Sequence, residues 1–268
     1  MKKNNQRLLA IGALAITIII VTIGIGLTPS LAYPQVTTIS NVSSTIITDQ
    51  SFTVSWITEN NSTGEVHYGN TPDNLNKIAY DTRGNSIADD THYVTLSGLT
   101  PATTYYYDVH SNGVIDNNNG SHFITTTGPT LALPGSDTAY GKVYLPNGTT
   151  PAVGCIIYIT LEDNDGLNDP GQASPLSSLV DSAGWWYWNL TDSRIQDLSK
   201  YFSYSASGDK IQLEAMCPND GTANLIIDTG NDSPAPDIIL QENLIPTPTA
   251  TVIPPQENYF YLPFTIKY

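Results

Sequence analysis

The sequence predicts an all-β protein, two tandem β-sandwiches behind an N-terminal hydrophobic helix. Three observations carry that expectation. Apolar and polar residues alternate over runs of five to seven positions, with turn residues between the runs. Hydrophobic residues fill 40% of the 268 positions and charged residues only 13%, so a core can form while the surface relies on Thr, Ser, Asn, Gly and Tyr. Beyond the N-terminus no segment shows a sustained helical period.

Residues 1–32 read as targeting rather than fold. Lys2, Lys3 and Arg7 form a positive start, and an uncharged apolar run from Leu8 to Leu27 follows, long enough for a membrane-spanning helix. Pro29, Ser30 and Ala32 then offer a cleavage site. The expectation is a signal peptide cut after Ala32, with an uncleaved membrane anchor as the alternative. Either way the rest is exported, to the cell surface or the medium. All 25 acidic residues lie after Ala32 and three of the ten basic ones before it, so the exported part has a net charge of −18. Such a surface repels phosphate backbones and anionic headgroups, which excludes nucleic acid as a partner and leaves only the N-terminal segment for a membrane.

Residues 33–128 predict the first sandwich. Phe52–Ile57, Gly64–Tyr68, Tyr93–Leu99, Tyr105–Val109 and His122–Thr126 read as strands, and the Asn/Asp/Gly tract at 112–121 as a long turn. Phe52-Thr-Val54-Ser-Trp56, followed by Leu99-Thr-Pro101-Ala-Thr103-Thr-Tyr105, resembles the fibronectin type III fold, an immunoglobulin-like sandwich. That likeness implies a tyrosine corner at Tyr105, whose hydroxyl bonds to upstream backbone. TGEVHYG and THYVTLSGLTPATTYYYDV are more narrowly similar to the sandwich that precedes the catalytic domain of purple acid phosphatases. The catalytic motifs of that family do not follow. No GDxG or GNHE-like run occurs, and His67, His92, His110 and His122 all lie within this first unit. They fall on different expected strands without paired spacing, so they are read as surface or edge-strand histidines.

A linker at 129–136 leads to the second expected sandwich, 137–241. Tyr140–Leu145, the turn PNGTTPAVG, Cys155–Leu161, SSLVDSAGWWYWNL and the closing NDSPAPDIIL resemble the prealbumin-like sandwich of carboxypeptidase-regulatory and collagen-adhesin B-type domains. SRIQDLSKYF reads as one helical turn in a crossover. Cys155 and Cys217 are the only cysteines, and a disulfide between them is weighed equally with two separate buried thiols. Residues 242–257 form a Pro/Thr-rich linker, and 258–268 an aromatic tail. Together they resemble the C-termini of secreted proteins of Chloroflexi-like bacteria. The tail reads as a final strand, or alternatively as an attachment signal.

Two candidate sites emerge. EDNDGLNDPG at 162–171 concentrates carboxylates around a glycine. It is not an EF-hand loop: with Gly166 at the turn position, the first ligand position falls on Leu161 and the last on Gln172. Asp163, Asp165 and Asp169 remain candidates for a looser calcium cage, against the reading of an acidic turn held by its own hydrogen bonds. AGWWYWNL at 183–190 holds three of the four tryptophans. Strand alternation puts Trp185 and Tyr187 on one face and Trp186, Trp188 and Leu190 on the other. The prealbumin-like resemblance implies that Trp186 is the buried aromatic, which leaves Trp185 and Tyr187 facing outward, where they can meet a ligand or pair with neighbours such as Tyr158.

Catalysis is not expected. The second unit has no histidine for a nucleophile to use, and the glycine-rich stretches match no phosphate loop. The expected function is adhesion, spacing or display by a non-enzymatic exported protein. One alternative is a carbohydrate-binding module that engages cell-surface polysaccharide through Trp185 and Tyr187. The other is an accessory fragment related to purple acid phosphatases that lacks their metal domain.

Overall fold

The computed structural model describes residues 37–242. The expected N-terminal hydrophobic helix, most of the Pro/Thr linker and the aromatic tail lie outside those residues. The described chain is built of strands. It contains one 3₁₀ turn at Leu190–Asp192 and no helix long and apolar enough to cross a membrane.

Eight strands make the first sandwich: β1 (Ile39–Thr45), β2 (Ser51–Ser62), β3 (Gly64–Gly69), β4 (Lys77–Tyr80), β5 (Asp89–Ser97), β6 (Thr104–Ser111), β7 (Val114–Asp116) and β8 (Phe123–Thr126). One sheet runs β1-β2-β5 and the other β4-β3-β6-β7, with β8 paired to β6. Phe52, Val54 and Trp56 alternate inward from β2 and meet Val94 and Leu96 across the sheet, with Val66, Tyr107 and Val109 from the facing one. Burying each such side chain contributes about 1.5–3 kcal/mol of transfer free energy. The Tyr105 hydroxyl accepts the Thr100 amide hydrogen at 2.9 Å, the corner that the fibronectin-like pattern implies. The tract at 112–121 is more ordered than a long turn: β7 pairs back onto β6.

The second sandwich comprises β9 (Thr138–Tyr144), β10 (Ile156–Glu162), β11 (Leu176–Leu179), β12 (Trp185–Asn189), β13 (Lys210–Cys217), β14 (Gly221–Asp228) and β15 (Ile238–Ile239). Its sheets run β11-β10-β13-β14 and β12-β9-β15, with β15 parallel to β9. Trp186 and Leu190 are fully buried against Ile157, Ile159, Ile211 and Leu213, and Trp188 packs partly buried beside them. The register that pairs Ile156 with Met216 sets Cys155 opposite Cys217, and the two form a disulfide with Cα atoms 4.8 Å apart. SRIQDLSKYF does not form the expected helical turn. Leu198 stands at φ +65°, the Asp197 carboxylate accepts the Ser199 amide, and a bridge between Arg194 and Tyr201 closes the loop.

The residues that alternate away from the first core do not all face water. The Tyr93 hydroxyl donates to the Ser177 carbonyl at 3.1 Å and lies 2.9 Å from its Oγ. Ser55 Oγ and the Tyr158 hydroxyl are 2.8 Å apart, and Thr91 Oγ1 donates to the Gly154 carbonyl at 2.7 Å. The Ile46 amide donates to the Pro175 carbonyl at 3.0 Å. This hydroxyl-rich seam joins β1, β2 and β5 to the second sandwich, and contact density places both in one compact unit. Beside the seam, Arg83 grips Asp81 through two guanidinium nitrogens at 2.9 Å and also reaches Asp89 and the Thr91 carbonyl. Burial raises the Asp81 carboxyl, but the Arg83 hydrogen bonds and charge outweigh it and hold its pKa below the usual range.

Candidate functional site

The turn before β12 aims its side chains. Asp181 Oδ1 accepts the amides of Ala183 and Trp185 at 2.8 and 2.9 Å, and Gly184 sits at φ +85°, a conformation that glycine adopts without a Cβ penalty. From there Trp186 goes inward, against the backbone of Gly141. A Cβ added at Gly141 would stand 3.0 Å from Trp186 Nε1 and 3.2 Å from Ala235 Cβ, so any larger residue there would push the indole back by a few tenths of an ångström.

Trp185 and Tyr187 therefore point outward, but not alone. Antiparallel pairing sets Trp185 opposite Lys142 and Tyr187 opposite Tyr140. The parallel strand β15 adds Ile239 beside Tyr144. The Tyr140 and Trp185 rings lie 6.0 Å apart at 53°, and Lys142 Nζ hangs 4.6 Å over the Trp185 ring and 5.9 Å over that of Tyr144. Tyr187 is the most open member, 59% exposed, whereas Trp185 is half-buried under its neighbours. The outer face of this sheet is thus a row of Tyr187, Tyr140, Trp185, Lys142 and Tyr144. The expected neighbour Tyr158 is not among them, because it lies on β10 in the opposite sheet and bonds Ser55. Tyr140, Lys142 and Tyr144 were legible as one alternating stripe, but not as the partners of β12.

The acidic loop assembles differently from the sequence reading. Asp163, Asp165 and Asp209 bring carboxylate oxygens within 4.8 Å of one another. Asp169 does not join them: it pairs with Lys200 Nζ at 2.5 Å and accepts the Ser203 amide, contacts that hold its pKa below the usual range. Asp209 replaces it because β10 and β13 are paired at Glu162 and Lys210, which brings the ends of the two strands together. Each carboxylate of the trio accepts a backbone amide, from Gly166, Leu167 and Asn164 respectively.

The histidines are not scattered surface groups. His92 is buried, stacked on Trp56 at 4.8 Å, and its ring shares hydrogen bonds with Thr58 and Ser62. Burial lowers its pKa to about 4, so it is neutral in the core. His122 bonds Asp108 at 2.7 Å, while His67 and His110 stack on each other on the outer face of β3 and β6. Elsewhere Tyr204 donates to Asp137 at 2.7 Å, and burial together with that carboxylate lifts Asp232 to a pKa of about 6.

Residues 39–126, which span β1 to β8, match the family described as purple acid phosphatase, N-terminal domain. No curated protein matches the chain. Among solved structures, the FN1–FN3 domains of chicken CNTN1 align over 74% of this chain and 67% of their own, at 10% identity and a TM-score of 0.23. The major pilin subunit of Bacillus cereus aligns over 78% and 70%, at 10% identity and a TM-score of 0.20. The family match covers the non-catalytic domain of the phosphatases, consistent with an accessory module.

Proposed function

We propose that the protein is an exported, non-catalytic module for adhesion or display, and that the outer face of β9, β12 and β15 is its contact surface. The observation that carries this reading is the row of Tyr187, Tyr140, Trp185 and Lys142 on paired strands. Large rigid rings supply contact area at little conformational cost, and their placement on a sheet rather than a loop fixes their spacing. The seam to the first sandwich gives that face a stiff support, as a spacer requires. Export rests on the N-terminal segment, and the net charge of −18 after Ala32 argues against nucleic acid as the ligand.

A second reading, a carbohydrate-binding module, is favoured by the same row. Exposed tyrosines side by side stack on the apolar faces of sugar rings. Lys142 covers Trp185, so the sugar would meet Tyr187 and Tyr140 first. The test is retention of the full chain on insoluble polysaccharides and on whole bacterial surfaces, with Tyr140→Ala plus Tyr187→Ala as the comparison. Binding to either support that the double variant loses bears out the contact surface, and polysaccharide binding selects the second reading. Binding that is equal for both proteins refutes it.

A further inference from the structure

We propose that Glu65, His67 and His110 form a binding site for a divalent transition ion with a preference for imidazole, of the zinc, copper or nickel class. The site lies on the first sandwich, well apart in sequence from the aromatic face, and it does not depend on the function proposed for that face.

The register builds the cluster. β3 and β6 pair antiparallel, with Glu65 opposite His110 and His67 opposite Asp108. Glu65 and His67 are two residues apart on one strand, so both leave the same face of the sheet, and His110 leaves that face from the neighbouring strand. The intervening residues Val66, Tyr68, Tyr107 and Val109 are locked in the core, which fixes the strands from behind. The ligands therefore stand on rigid elements rather than on a loop.

The atoms are already close to a coordination sphere. His67 Nε2 lies 2.8 Å from Glu65 Oε1, the two imidazole rings stack at 3.8 Å with planes 12° apart, and one ligand atom from each residue falls within 4.8 Å of the others. Zinc bound at about 2.0–2.1 Å holds its tetrahedral ligands roughly 3.3 Å apart, so binding requires the two stacked rings to hinge open until their in-plane lone pairs converge, a side-chain rotation that their half-exposed positions allow. Two nitrogens and one carboxylate oxygen satisfy a borderline ion better than calcium, which takes oxygen ligands.

Electrostatics favours a cation other than two protons. Imidazolium rings in face-to-face contact repel, so the stack persists only if at least one ring is neutral and keeps a free lone pair. The Asp108 carboxylate, which is held by His122, lies beside the pair and adds negative charge. All three ligand residues are half-exposed, so a fourth position is open to water or to a donor from a partner.

The test uses the full exported chain and zinc chloride at neutral pH, with affinity measured by competition against a chromophoric chelator. One saturable site in the micromolar range is expected. His67→Ala and His110→Ala should each weaken it by more than about tenfold, and Glu65→Gln by less. Asp163→Asn with Asp165→Asn should leave the zinc affinity unchanged. Metal-free thermal melts establish that the variants fold, and Cu²⁺ loaded in place of zinc should show two nitrogen couplings by electron paramagnetic resonance. Absence of saturable zinc binding, survival of full affinity in His110→Ala, or loss only in the acidic-loop variant would each overturn the proposal.

Discussion

The outer faces of the two sandwiches are built alike and carry opposite chemistry. On β3 and β6 the outward positions hold Glu65, His67, Asp108 and His110; on β9 and β12 they hold Tyr140, Lys142, Trp185 and Tyr187. In each case the alternate positions are committed to a core. One set of residues therefore specifies the fold while the other is free to specify binding. A third face, that of β2 and β5, has the same construction but spends its outward hydroxyls on the seam. The scaffold thus permits three uses of one alternation: ion-binding groups, an aromatic surface and an internal joint.

The comparison breaks most easily at the two core tryptophans. Trp56 and Trp186 are both fully buried, one in each sandwich, and replacement of either by alanine should cost about 3–5 kcal/mol. If the seam couples the sandwiches, calorimetry of each variant should show one transition at a lower midpoint. A second, unmoved transition would mean that they unfold independently. Reduction of the Cys155–Cys217 disulfide, whose cysteines are 62 residues apart in sequence, should come next at about 2–4 kcal/mol, read from denaturant midpoints with and without reductant.

Acid separates the sandwiches by sign. His92 in the first has a folded pKa of about 4 against 6.5 unfolded, so the unfolded chain binds more protons between those values. Its contribution is complete above pH 6.5 and is lost as pH falls toward 4. Asp232 in the second has a folded pKa of about 6 against 3.8, so the stability tied to its protonation is complete below 3.8 and is lost as pH rises through 6. Asp232→Asn should therefore stabilise the protein at pH 7 by about 1 kcal/mol, with allowance for solvent screening, and confer little at pH 4. Melts at the two pH values check this, and a gain at pH 4 alone would reverse the assignment. Smaller still is the seam bond of Tyr93. Tyr93→Phe removes one hydrogen bond from Ser177, whose Oγ keeps Thr45, at a cost of about 0.5–1 kcal/mol, measurable by denaturant unfolding.

What the sequence disclosed depended on how far apart the partners lie. The Trp56 strand and the two faces of β12 follow from local alternation, the Tyr105 corner and the inward face of Trp186 and Leu190 from family resemblances carried by short local motifs, and the structure shows all of them. The seam does not follow from spacing, because Ser55 and Tyr93 carry hydroxyls that read as solvent-facing until Tyr158 and Ser177 are brought against them. The imidazole pair is hidden for a related reason. His67 and His110 have no paired spacing, and only the register of β3 against β6 makes them neighbours. Asp209 joins Asp163 through strand pairing across more than forty residues, while Lys200 draws Asp169 away. Alternation is legible in one strand; register belongs to two.

The most direct test of the contact surface is a binding isotherm on whichever polysaccharide or bacterial surface retains the wild-type chain. It should be run beside Tyr140→Ala/Tyr187→Ala and His67→Ala/His110→Ala. The account predicts loss of binding in the tyrosine variant, with a melting midpoint close to wild type, and unchanged binding in the histidine variant. Undiminished binding by the tyrosine variant, or its loss in the histidine variant alone, would contradict the assignment of recognition to the second sandwich.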